Sequence, residues 1–161
     1  MKNEESMLEE NLLFHKAMGV DSFIITDNNS TDSTPEIIRK YKQKGWIKEV
    51  IEEKATDYEQ KEWVDRMIWK AKTIYKADWI INADADELWY SPSGNLKTDL
   101  SATHANVLNC EMRSVYPEEN RPFWQWDKVV KPVSEPERYD LSTYSISVSY
   151  THLRAHETSA H

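Results

Sequence analysis

Phe23-Ile24-Ile25-Thr26-Asp27-Asn28-Asn29-Ser30-Thr31-Asp32-Ser33-Thr34-Pro35 is the stretch on which the fold turns. A short run rich in β-branched residues suits a strand buried in a sheet, and the polar loop behind it marks where that strand surfaces. Thr34 as N-cap and Pro35 at the first helical position then open a helix, which Gly45 ends. A further strand is predicted over residues 46–51, after almost no linker.

Outward from this unit, the hydrophobic pattern keeps alternating helix and strand. Upstream, Ser6-Met7-Leu8-Glu9 has the form of a capping box, and Leu8, Leu12 and His15, then Phe14 and Met18, recur at helical spacings before Gly19. A helix is predicted over residues 7–18. Downstream, Trp63, Val64, Met67, Ile68, Ala71, Ile74 and Tyr75 make one broad apolar stripe over residues 58–75, with Glu59, Lys61, Glu62, Asp65 and Lys72 opposite. That stripe reads as packing surface. Trp79-Ile80-Ile81-Asn82-Ala83 follows as another strand and ends abruptly in the acids of Asp84-Ala85-Asp86-Glu87. The order strand, helix, strand, helix, strand predicts an α/β fold, a mostly parallel sheet with helices on both faces. Beyond Tyr90, strands are predicted over residues 107–115 and 128–133, around an aromatic, proline-containing loop at 116–126.

Composition bounds the function. A chain of 161 residues suits one domain, and a 39% hydrophobic content with seven Trp is enough for a core. The net charge of -8, with no basic cluster, argues against a nucleic-acid partner. The lone cysteine, Cys110, lies in the apolar run Val107-Leu108-Asn109-Cys110 and reads as a small core residue. No stretch reaches the roughly 18 consecutive apolar residues of a membrane span, and the first residues lack the form of a signal peptide, so a cytoplasmic location is expected. With only Gly19, Gly45 and Gly94, neither a Walker loop nor a glycine-rich dinucleotide turn can be built. Affinity for phosphate would have to come from side chains, backbone amides or a metal.

Ligands of open α/β sheets sit beyond the carboxyl ends of the strands. Three polar clusters are expected there: Lys2-Asn3-Glu4, the Asp27 to Asp32 loop, and Asp84-Ala85-Asp86-Glu87. The first reads equally as a solvated terminus, and the second as an ordinary Asx- and Ser/Thr-rich turn. In the third, carboxylates gathered at a strand end repel one another and resist desolvation, which a bound divalent cation relieves. The tail at 148–161 resembles one reading frame of a sequencing adaptor and is expected to be non-native. Its histidines, His152, His156 and His161, are therefore excluded as metal ligands, although the first two have helical i,i+4 spacing.

The succession Lys-Asn-Glu-Glu, then Gly-Val-Asp-Ser-Phe-Ile-Ile-Thr-Asp-Asn-Asn-Ser-Thr-Asp, then Ala-Asp-Trp-Ile-Ile-Asn-Ala-Asp-Ala-Asp-Glu resembles glycosyltransferase family 2, in its bacterial branch with a DADE-type acidic motif. The resemblance covers residues 2–89 well and the rest loosely. It implies a GT-A, Rossmann-like fold, a UDP- or other nucleotide-sugar donor, Mn²⁺ or Mg²⁺, and a glycan, lipid or protein acceptor in cell-surface polysaccharide synthesis. It further implies that Asn3, Glu4, Asp27, Asn28 and Asp84 border the donor nucleotide, with Asp32 a weaker neighbour. Asp84 and Asp86 match the metal-binding DxD pair, and Glu87 has a supporting role. Gln60 and Asp65 read as solvated helix surface rather than nucleotide contacts. An inverting enzyme needs a separate carboxylate to deprotonate the acceptor; Glu111, Glu118 and Glu119 are available, and nothing in their spacing selects one. Trp124 and Trp126 read as packing more than as a sugar platform. The implied organisation is a domain at 1–147, incomplete at both ends, with a nucleotide-sugar half at 1–90 and a partial acceptor half at 91–147. Two alternatives stay open: a sugar-nucleotide nucleotidyltransferase, and a non-catalytic carbohydrate-binding or scaffold domain.

Overall fold

The computed structural model describes residues 1–54, 60–105, 108–109, 113–114, 121, 147–148 and 154–155. The chain forms two compact units, Met1–Ala85 and Asp86–His161. The first holds α1 (Leu8–Ala17), β1 (Phe23–Asp27), α2 (Thr34–Gln43), β2 (Ile47–Glu52) and α3 (Gln60–Thr73). Among the described residues of the second lie α4 (Leu96–Ala102), β3 (Leu108–Asn109), β4 (Arg113–Ser114), β5 (Ser147–Val148) and β6 (Arg154–Ala155). The fold is mixed α/β, as expected.

β1 and β2 pair in parallel across α2, from Phe23 opposite Ile47 to Asp27 opposite Glu52. The register shifts once, so that Phe23 faces Ile47 while Ile24 faces Glu49, and Lys48 is the residue left over. That bulge decides the core. Side chains alternate faces along a strand, so Ile47 and Val50, three apart, would otherwise point to opposite sides. With Lys48 absorbed, both join one cluster with Ile25, with Leu8 and Leu12 of α1, and with Ile38 and Tyr41 of α2. The opposite face belongs to α3, whose Lys70 Nζ donates to Glu49 Oε1 at 2.5 Å. Tyr75, just past the helix, donates its hydroxyl to Glu49 Oε2 at 3.1 Å. Helices thus cover both faces of the pair.

Both α1 and α2 end as their glycines predict. Gly19 and Gly45 have φ of 92° and 76°, a left-handed conformation that costs glycine no steric penalty. After α2, the Gly45 amide donates to the Lys42 carbonyl at 3.0 Å and Trp46 to Tyr41 at 3.1 Å; after α1, Gly19 donates to Lys16 and Val20 to His15. These are paired Schellman bonds, which satisfy the last carbonyls of each helix. The helices are also tied to each other, because Glu9 of α1 accepts from Tyr41 Oη at 2.7 Å and from Lys40 at 2.5 Å. Burial and the Glu9 bond push the Tyr41 hydroxyl up to about 12.

Three expectations need correction. The capping box does not form: Met7 stands at the N-cap of α1 without a side-chain bond. The Glu4 carbonyl instead accepts from Met7 and Leu8 at 3.1 and 2.9 Å. At α2 the N-cap is Ser33, also without a side-chain bond, and Thr34 is the first helical residue. Residues 79–83 are not a strand, and among the described residues the parallel sheet has two strands rather than three. A strand exists only through a neighbour's hydrogen bonds. On the edge of β1 away from β2, the bonds go to one residue: Met1 donates its amino group to Thr26 O at 3.0 Å and accepts from Asn28 N at 2.9 Å.

The narrow sheet also explains the stripe on α3. Two strands about 4.8 Å apart cannot cover one side of a helix about 10 Å across. Trp63 is buried and Val64, Met67 and Ala71 half-buried, while Ile68, Trp69, Ile74 and Tyr75 stay exposed.

In the second unit, β3 pairs with β6 and β4 with β5, both antiparallel. Of the strand predicted over 107–115, the described residues are β3 and β4, and β6 lies within the tail expected to be non-native. α4 is too short for periodicity to reveal, but its cap is local: Asn95 Oδ1 accepts from Thr98 N at 2.9 Å. Its Leu96 and Leu100 are buried. The strand predicted over 128–133, the loop at 116–126 and Cys110 lie outside the described residues.

A Cβ added at Gly45 would meet nothing within 4 Å, so its substitution isolates the backbone term. Gly45→Ala is expected to lower stability by about 1 kcal/mol, and Gly45→Asn by less, measured as a shift in urea midpoint at constant slope.

Candidate functional site

The first two polar clusters come together at the carboxyl end of β1. Asn3, Glu4 and Glu5 present three consecutive backbone amides to the loop that follows the strand. Asn3 N donates to Ser30 Oγ at 2.9 Å, Glu4 N to Thr34 Oγ1 at 2.8 Å, and Glu5 N to Asp32 Oδ2 at 3.1 Å. The loop answers in kind, with Thr31 N donating to Asn3 Oδ1 and Ser33 N to Glu5 Oε2, both at 2.9 Å. Asn3 and Asn29 take the left-handed conformation, with φ of 58° and 54°, which asparagine tolerates best after glycine.

Within the loop, Ser30 Oγ donates to Asp27 Oδ1 at 2.5 Å and so orients the carboxylate at the strand end. Partial burial works to raise the Asp32 carboxyl, but bonds from Thr34 and Glu5 outweigh it and hold it below its ordinary value. Thr34 is fully buried. Thr34→Val keeps its shape but leaves the Glu4 amide without that acceptor, and is expected to cost about 1–3 kcal/mol by urea denaturation.

The third cluster is held from α1. Asn11 Nδ2 donates to Ala85 O at 2.9 Å and reaches Asp84 O at 3.5 Å. On the other side of the same amide, Asn11 Oδ1 lies 3.0 Å from His15 Nδ1, which is also 3.0 Å from Asn11 O. Two acceptors facing one ring nitrogen place the proton on Nδ1. Both residues are buried, Asn11 at 7% and His15 at 4% exposure. Burial pushes the His15 ring down to about 4 from 6.5, against the opposing effect of its Asn11 backbone bond.

Sequence reading counted His15 in an apolar stripe and missed Asn11. The signal was present, because Leu8, Asn11, Leu12 and His15 share one helical face and an amide on such a face must be paired.

Between about pH 6.5 and pH 4 the unfolded chain binds a proton at His15 that the folded chain refuses, so stability falls as pH falls through that window. The wild type is expected to lose about 2 kcal/mol between pH 7 and pH 5 from this group, and His15→Gln to flatten the slope; urea midpoints at both pH values measure it.

Of the remaining predicted site residues, Glu4 and Asn28 are half-buried in the region of the clasp, and Asp65 is exposed on α3. Asp84 is exposed, while Asp86 and Glu87 are half-buried. The division between the two compact units falls between Ala85 and Asp86, within the acidic stretch. Among the described residues, no three or more His, Cys, Asp or Glu form a group able to hold a metal. A closed protein cage is therefore not built there. Carboxylates are the donor type that hard cations take, and such ions commonly use one or two of them together with substrate phosphates. The side chain of Gln60 and all of Glu111, Glu118, Glu119, Trp124, Trp126 and the tail histidines lie outside the described residues. No described helix is long and apolar enough to cross a membrane.

No curated protein and no solved structure matches the chain. A family model does: glycosyltransferase family 92, over residues 2–152. The order of the motifs implied family 2, and the match corrects that placement while keeping the activity. A match over nearly the whole chain is decisive: it is a glycosyltransferase, an enzyme that takes a sugar from a donor to an acceptor, and it belongs to glycosyltransferase family 92.

Proposed function

We propose that this chain transfers a sugar from a nucleotide-diphospho-sugar donor, with a divalent cation at Asp84 and Asp86 and with inversion at the anomeric carbon. Besides family membership, the observation that carries this reading is the clasp at the end of β1. There Asp27, its carboxylate turned by Ser30, stands in a loop pinned by the amides of Asn3, Glu4 and Glu5. Strand ends of this kind are where α/β sheets take nucleotides. In this reading Asp27 and Asn28 meet the base or ribose, and Glu4 borders the same pocket. Asn3 serves chiefly by shaping it, because its Oδ1 is already engaged by Thr31.

Asp84 and Asp86, with one residue between them in the chain, would hold the cation, with Glu87 supporting. When bound there, Mn²⁺ or Mg²⁺ would supply neutralisation of the charge on a departing nucleoside diphosphate. The protein's own task in this reading is to keep both carboxylates pointed at one place, so that little reorganisation is left for the moment of bond cleavage. A cytoplasmic location suits a nucleotide-sugar donor.

Calorimetric titration with UDP, with and without Mn²⁺, tests the reading. Binding is expected to require the metal, and Asp86→Ala is expected to abolish the metal-dependent part. Absent or metal-independent UDP binding by the wild type would sink it.

A further inference from the structure

The acidic stretch reaches its position at the end of a run that forms no strand, so no sheet ladder holds its backbone among the described residues. A side chain of α1 bonds that backbone directly. Asn11 Nδ2 lies 2.9 Å from the Ala85 carbonyl and 3.5 Å from that of Asp84. Each carbonyl belongs to a planar peptide unit. The Asp84 oxygen lies in the plane joining Asp84 to Ala85, and the Ala85 oxygen in the plane joining Ala85 to Asp86. One amide therefore grips both peptide planes that separate the two carboxylates.

The grip is itself oriented. An asparagine amide can present either its oxygen or its nitrogen, and only the nitrogen bonds a carbonyl. His15 decides between them, because its Nδ1–H faces Asn11 Oδ1 at 3.0 Å and leaves Nδ2 for the carbonyls. Both residues lie on the buried face of α1 beside Leu8 and Leu12, where leucine would pack without needing any partner. Asparagine is also a poor helix former. A buried amide and a buried imidazole on that face together form a purpose-built bracket for the backbone between Asp84 and Asp86.

We propose that Asn11, oriented by His15, is a positioning residue that sets the spacing and direction of the Asp84 and Asp86 carboxylates for the cation and diphosphate. The proposal rests on the reading of those two acids given above. Asn11 touches neither metal nor substrate; it acts through the peptide planes. Groups of this kind, one step removed from a metal, typically change metal affinity tenfold to a hundredfold when removed.

The test is a Mn²⁺ titration of the full chain in the presence of UDP, followed by electron paramagnetic resonance of the free ion. Asn11→Leu fills the space and removes the donor, so it is expected to weaken Mn²⁺ binding about tenfold or more while the protein keeps a cooperative thermal transition. Asn11→Ser, too short to reach the Ala85 carbonyl, gives the same readout should the leucine variant fail to fold. A merely structural asparagine would lower the melting temperature and leave the metal affinity of the folded protein unmoved; affinity within twofold of wild type in either folded variant overturns the proposal. Asp86→Asn is the control that separates the two levels. If it weakens Mn²⁺ binding and the Asn11 variants do not, only the role of Asn11 falls. Should Asp86→Asn bind Mn²⁺ as tightly as wild type, the metal reading falls and the proposal with it.

Discussion

Three consecutive backbone amides, those of Asn3, Glu4 and Glu5, lie ahead of the first helix and beyond any strand, so no ladder or helix supplies their acceptors. Ser30, Thr34 and Asp32 meet them with side-chain oxygens. The rest of the first unit depends on this clasp. It carries the chain across the end of β1, so that the Glu4 carbonyl can start α1 by accepting from Met7 and Leu8. α1 then brings Leu8 and Leu12 to the core and Asn11 to the acidic stretch. An Asx- and Ser/Thr-rich loop is commonly no more than a turn; here its hydroxyls and carboxylates serve as acceptors for another segment.

The sheet beneath is small, and one irregularity lets it work. With Lys48 set aside as a bulge, Ile47 and Val50 face the same core as Ile25, and Glu49 faces α3, where Lys70 and Tyr75 bind its carboxylate. Bonds from Lys70 are the main reason the Glu49 carboxyl is held below its usual value. Half of this arrangement is apolar packing and half is charge pairing, consistent with a two-stranded sheet that leaves part of the α3 stripe in water.

The local elements were legible because each has a short-range cause. Gly19 and Gly45 end α1 and α2 through left-handed turns, Pro35 opens α2, and the β-branched run at Phe23 to Thr26 makes β1. The failures also have physical causes. Ser6 and Glu9 spell a capping box, but the Glu4 carbonyl reached the first amides of α1 instead. The Trp79 to Ala83 run has strand composition without strand hydrogen bonds, and composition carries no information about a neighbour. Asp27 and Asn3, expected at strand ends, do come together at the carboxyl end of β1 through Ser30. Asn11 was overlooked because its meaning lies 74 positions away in the chain, at Ala85.

By itself the sequence determined the α/β class, the helix limits and the polar clusters, since hydrophobic period, helix caps and turn residues act over a few neighbours. It also carried the glycosyltransferase character, in an ordered succession of three polar motifs whose resemblance to that class the family match bears out. Tertiary structure alone decided which amide finds which oxygen: Ser30, Thr34 and Asp32 with the N-terminal segment, and Asn11 with the backbone of the acidic stretch. Such pairings join segments far apart in the chain, and their geometry follows from how α1 packs on the sheet rather than from any local preference.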